Sequence, residues 1–133
     1  MDSKLKHLEF LQGVINRMAG NSFLLKGWSV TLAAALFALA AKDANLRLIA
    51  LGYYPILVFW VLDGFFLSQE RLYRALYDKV RKIPEADIDF AMDTREFYKG
   101  RNTWAAAILS KTLLIFYGAV LLLLLFVARY LLH

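Results

Sequence analysis

LIALGYYPILVFWVLDGFFL (residues 48–67) runs directly into SQERLYRALYDKVRKIP (residues 68–84), and this passage decides the fold. The first part is apolar throughout except for Asp63. Twenty such residues at about 1.5 Å each span about 30 Å, the hydrocarbon thickness of a bilayer. The second part places Leu72, Leu76, Val80 and Ile83 along one side and Arg71, Arg74, Asp78 and Arg81 along another, the pattern of a helix half in water. A spanning helix therefore continues as a soluble one until Pro84 ends it. Gly52 and Pro55 predict a kink near the outer end.

Working outward, residues 112–128 (TLLIFYGAVLLLLLFVA) form the densest apolar run, inside a third span over 104–131. Twenty-eight residues would reach about 42 Å, so this helix is expected to tilt or protrude. Residues 23–41 (FLLKGWSVTLAAALFALAA) form the first span. Lys26 lies near its start, where it can snorkel to the interface, and its alanines favour close approach to another helix. The string ALAAKD (38–43) resembles a signal cleavage site, but the region before the apolar core is patterned and partly acidic, unlike a signal n-region. KDANLR (42–47) reads as a polar turn between the first two spans.

Residues 4–19 (KLKHLEFLQGVINRMA) form a separate amphipathic helix within a cytoplasmic 1–20 segment, with Leu5, Leu8, Leu11, Ile15 and Met18 at three- and four-residue spacing and Gly20-Asn21 as its stop. Its apolar stripe and that of 68–83 lie on the same side of the membrane, which predicts a bundle. The remainder of the 68–103 segment, from residue 85, is polar, with a short helix expected around Asp87–Phe97. The fold class is thus an all-α membrane protein of 133 residues: three transmembrane helices, an N-terminal amphipathic helix and a cytoplasmic extension of the second span. An apolar fraction of 60% exceeds what a soluble chain of this size can hide.

Charge sets the orientation. Lys4, Lys6, Arg17 and Lys26 lie at one end. Arg71, Arg74, Lys79, Arg81, Lys82, Arg95, Lys99 and Arg101 follow the second span; only Lys42, Arg47 and Arg129 fall on the other side. The positive-inside rule puts the N-terminus and the 68–103 segment in the cytoplasm and the C-terminus outside.

The candidate chemistry is sparse. The chain has no cysteine, no glycine-rich phosphate loop and no nucleophile elbow, so no enzyme, cofactor or metal is expected. Asp63 and Lys111 have a similar shallow depth, and a lone charge in lipid is costly. They are candidates for a pair that lines a pore or gate, together with Phe116 and the dewetting stretch Leu121 to Phe126; the alternatives are a structural ion pair or two residues that snorkel separately. Residues 70–82 carry five basic and two acidic side chains, and 85–96 one basic and five acidic. An anionic ligand suits the first stretch, with Lys4, Lys6, Arg17, Arg71, Arg74, Arg81 and Lys82 as candidates and Tyr77 as a stacking platform; mutual neutralisation of the two stretches is the plainer reading.

HLEFLQGVINRMAGNSFLLKGWSVTLAAALFALAA (7–41), DFAMDT (89–94) and LSKTLLIFYG (109–118) together resemble small transmembrane effectors of bacterial anti-phage defence, in particular the membrane subunit of the Hailong system. The resemblance implies a homo-oligomeric channel that depolarises the membrane, controlled by a nucleotide oligomer made by a partner nucleotidyltransferase. No family ligand residue maps securely onto this chain. One protomer with three spans encloses no obvious pore, so a closed ring, with a tetramer favoured, is expected; no duplex nucleic acid is expected as a partner. Two rival functions are a non-conducting anchor for a cytoplasmic partner and a small transporter that uses Asp63 for proton coupling.

Overall fold

The computed structural model describes residues 2–43 and 46–132. Four α-helices follow in order: α1 (Asp2–Asp43), α2 (Leu46–Val80), α3 (Trp104–Ile108) and α4 (Lys111–Leu132). No strand occurs among the described residues. Within α1, α2 and α4 lie three stretches long and apolar enough to cross a membrane.

Three boundaries differ from the expectation. The amphipathic helix and the first span are one continuous helix of 42 residues. Gly20 costs such a helix only about 1 kcal/mol relative to alanine, and packing along α2 outweighs it. The expected 28-residue third span is broken into α3 and α4 at Leu109-Ser110. A hydroxyl begins each piece: Thr103 Oγ1 accepts from Ala106 N at 3.3 Å at the start of α3, and Ser110 Oγ, at the break, accepts from Leu113 N at 3.4 Å at the start of α4. With 22 residues, α4 is about 33 Å long, close to the hydrocarbon thickness of a bilayer. No α-helix forms around 87–97; the chain there is irregular between 3-10 turns at Glu85–Asp87, Arg95–Phe97 and Gly100–Asn102. The turn expected at 42–47 centres on residues 44 and 45, which lie outside the described residues.

Two apolar cores are stacked along the helix axes. One joins Ala33, Ala40, Ile49, Ile56, Leu113, Tyr117, Val120 and Leu124 from α1, α2 and α4. The other joins Leu11, Leu76 and Val80, covered by Leu8, Tyr73, Ile83, Ile88 and Phe97. So the N-terminal part of α1 and the C-terminal part of α2 pack together, and the segment 83–97 closes over them. α4 contributes a single stripe, Leu113, Tyr117, Val120 and Leu124, and leaves Ile115, Leu122, Leu125 and Phe126 exposed, so its burial is one-sided and its open faces are apolar.

α2 carries the attachments of the returning chain. Gly64 lies so close to α3 that an added Cβ would stand 2.4 Å from Ile108 Cγ1 and 3.2 Å from the Ile108 backbone. Trp60 Nε1 donates to Ile108 O at 2.9 Å, Trp104 Nε1 to Val61 O at 2.9 Å, and buried Ser68 to Asn102 O at 2.7 Å. Arg71 Nη1 donates to Arg101 O at 2.6 Å. Residues 60, 64, 68 and 71 recur at helical spacing on one face.

Candidate functional site

Between the two cores lies a polar layer centred on Asp63, which is fully buried. A carboxylate there requires donors. Lys26 Nζ supplies one to Oδ2 at 2.6 Å, and Tyr117 Oη supplies another to the same oxygen at 2.8 Å. Ser22 Oγ donates to Oδ1 and accepts from Lys26 Nζ at 2.8 Å. The Lys26 ammonium also lies 5.9 Å from the centre of the Phe116 ring, within cation–π reach. Lys26 is not sealed in: its side chain retains 19% exposure.

Local structure explains this convergence. Ser22 and Lys26 are four residues apart and share a face of α1, in line with buried Leu11, Ile15, Leu25, Ser29 and Ala33. Tyr117 is fixed by its ring, which stacks on Trp60 at 5.9 Å with planes 6° apart. Asp63 is therefore held from α1 and from α4 at once. The arrangement is net neutral and nearly saturated with hydrogen bonds. It holds no activated nucleophile. What it can do is lock three helices in one register, and release them if one partner is withdrawn.

The expected pairing of Asp63 with Lys111 is not the one formed. Lys26 occupies that role, and Lys111 is exposed at the first position of α4 with no ion pair among the described residues. Lys111 stands on an exposed side of α4, whereas Tyr117, on the buried stripe of the same helix, reaches Asp63. Phe116 and Leu121 pack against the apolar core, while Phe126 is 68% exposed; the pore candidates do not share a surface.

The basic candidates are likewise dispersed. Lys6 pairs with Glu9 at 3.7 Å, Arg74 with Glu70 at 3.0 Å and Arg81 with Asp78 at 3.3 Å, while Arg71 is turned to a backbone carbonyl. Lys4 lies at the start of α1 beside Glu85, and Lys82 is exposed past the end of α2. Arg74 and Tyr77 share a small depression with Gln12 and Asp78, and Arg17 lines another with Glu9 and Met92. Local carboxylates thus answer much of the charge that suggested an anion site.

Sequence reading missed Ser22 and Tyr117 and took Lys26 for a snorkelling side chain. The available signal was the buried-face periodicity of α1, on which both Ser22 and Lys26 fall. No known protein-family model, curated protein or solved structure matches the chain.

Proposed function

We propose that the chain is the subunit of a homo-oligomeric, ion-conducting effector of the bacterial inner membrane, with its N-terminus and residues 68–103 in the cytoplasm. The observation that carries assembly is a stripe on α1. Gly13, Gly20, Gly27, Ala34 and Ala41 recur every seven residues and are all exposed. A Cβ added at any of the three glycines would meet nothing within 4 Å. Gly27, Ala34 and Ala41 lie in the first span, where small residues in register on an open face let a second helix approach closely and close packing replaces the hydrophobic drive; Gly13 and Gly20 continue the same open face into the cytoplasmic part of α1.

On this reading conduction runs between copies. The interior of one protomer is filled by the two cores and the saturated Asp63 layer, so a path through a single copy has no room. The Lys26–Asp63–Tyr117 lock is the element whose state would differ between closed and open forms, because it joins α1 and α2 to α4. The distribution of basic residues supports the orientation. The defensive setting, and control by a nucleotide oligomer from a partner nucleotidyltransferase, rest on the sequence resemblance alone.

The test is membrane potential in cells that express the chain, with and without the neighbouring gene product, read with a voltage-sensitive dye. Depolarisation in one of the two states, lost in Gly20→Leu/Gly27→Leu together with the oligomer in mild detergent, is expected. A monomer that leaves the potential unchanged in both states would overturn the reading in favour of a passive anchor.

A further inference from the structure

The segment 83–97 crosses the paired ends of α1 and α2 and is tied down at three points. Glu85 accepts from Ser3 N and Lys4 N at 2.9 and 3.2 Å. Glu96 pairs with Lys79 at 2.6 Å. His7, 1% exposed, bonds through Nε2 to Ala91 O at 2.8 Å. Next to Ala91, Phe90 adopts a left-handed backbone, φ 55°, that non-glycine residues seldom take. Its ring lies against His7, with centroids 5.5 Å apart.

Beneath this strap is a cavity of about 320 Å³, at the lower end of the range of small-ligand pockets. Its apolar side is Leu76, Val80 and Ile83. Its polar side holds Asp89, Asp93 and Glu96 against one ammonium, Lys79. Asp89 spends Oδ1 on Ala91 N at 3.1 Å, and no hydrogen bond engages its other oxygen among the described residues. Asp93 is gripped by the Arg95 guanidinium, which brings its carboxyl down to about 2, so it stays ionised.

His7 is the member that points to a ligand. A carbonyl oxygen only accepts, so Nε2 carries a hydrogen, and in the tautomer with that single hydrogen Nδ1 is an acceptor. Nδ1 is buried and has no partner among the described residues, yet His7 lines this cavity. Buried polar atoms without partners are rare in folded proteins.

We propose that this cavity binds a small organic cation: a primary ammonium that donates to His7 Nδ1 and is balanced by Asp89, with an alkyl portion laid along Leu76, Val80 and Ile83. The same carboxylates repel a phosphate, so the site is distinct in ligand class from the anion expected of the basic stretch. It is also independent of the conducting role, because neither its residues nor its ligand enter the Asp63 layer.

The test is calorimetric titration of the full chain in nanodiscs of zwitterionic lipid with 1,4-diaminobutane, and with 1,4-butanediol as the uncharged match. Saturable binding of the diamine alone is expected. His7→Phe keeps the ring contact with Phe90 and removes the acceptor; a loss of about tenfold or more is expected, since a hydrogen bond to a charged group is removed. Asp89→Asn keeps an oxygen for Ala91 N and removes the charge, and it should weaken the diamine comparably while circular dichroism and melting stay as in the parent. Equal binding of diol and diamine, no saturable binding, or diamine affinity unchanged in Asp89→Asn would each overturn the proposal.

Discussion

Tyr117 Oη donates to Asp63 Oδ2 at 2.8 Å across a separation of 54 residues, and Lys26 Nζ reaches the same oxygen at 2.6 Å from the opposite side. A single carboxylate oxygen thereby joins all three long helices. Two opposite charges and a hydroxyl satisfy one another where each alone would be unfavourable.

The first prediction separates the pair from its members. Asp63→Leu leaves the Lys26 ammonium without its carboxylate, and Lys26→Met leaves Asp63 with hydroxyl donors only. Each is expected to lower stability by about 3–5 kcal/mol, whereas the double variant returns to within about 1 kcal/mol of the parent or exceeds it. Tyr117→Phe retains the Trp60 stack and costs about 1–2 kcal/mol. Equilibrium unfolding in mixed detergent micelles reads all four. A double variant as unstable as the sum of the singles would remove the coupling argued for this pair.

Two glycines of α2 are expected to behave differently. At Gly64 an added methyl meets the Ile108 backbone, which cannot swing aside, so Gly64→Ala should cost about 1–3 kcal/mol and loosen α3. At Gly52 the obstruction is Leu36 Cδ1, the end of a flexible side chain, so Gly52→Ala should cost less than Gly64→Ala. Melting temperatures measured side by side decide the order.

At Glu85, the carboxylate caps the first turn of α1 from 81 residues away in sequence, answering backbone N–H groups that a helix start leaves unpaired. Glu85→Ala is expected to cost about 1 kcal/mol and to speed amide exchange over residues 3–8 and across the strap. Unchanged exchange in both regions would show that the strap is held by its other ties alone.

Asp93 supplies a pH prediction. Hydrogen bonds from Arg95, at 2.8 and 3.0 Å among others, lower its pKa to about 2 from an ordinary 3.8. A depressed carboxyl contributes its stabilisation above the unfolded value and loses it as pH falls through the folded one, so the 93–95 turn should persist from neutral pH to about pH 4 and open between about 4 and 2. Carboxyl chemical shifts followed by acid titration give the midpoint; a value at or above 3.8 would mean the guanidinium does not hold this carboxylate in solution.

The helical class and the three apolar runs were legible because run length and composition speak directly to lipid. The 3.6-residue stripe also brought out the pairing of Leu11 with Leu76 and Val80. Two things were not legible. Gly20-Asn21 has the composition of a stop, yet α1 runs through it, since the local cost is small against the packing gained along a neighbouring helix. Asp63 was matched to Lys111 on depth, which is one coordinate of two; the angle around the helix, set by tertiary packing, chose Lys26. The break at Leu109-Ser110 left a signal that was passed over, a second hydroxyl N-cap, Ser110, only seven residues after Thr103.

The spacing of the Asp63 partners also sets an order of events during synthesis. Lys26 precedes Asp63 by 37 residues, so the α1–α2 hairpin already contains both members of the ion pair. Tyr117 follows 54 residues later, about 3–11 s at ordinary ribosome speeds. Until Tyr117 has been made, Asp63 has its two α1 donors, Ser22 and Lys26, and lacks the third; the phenol that ties α4 to this layer is the last of the donors to be synthesised.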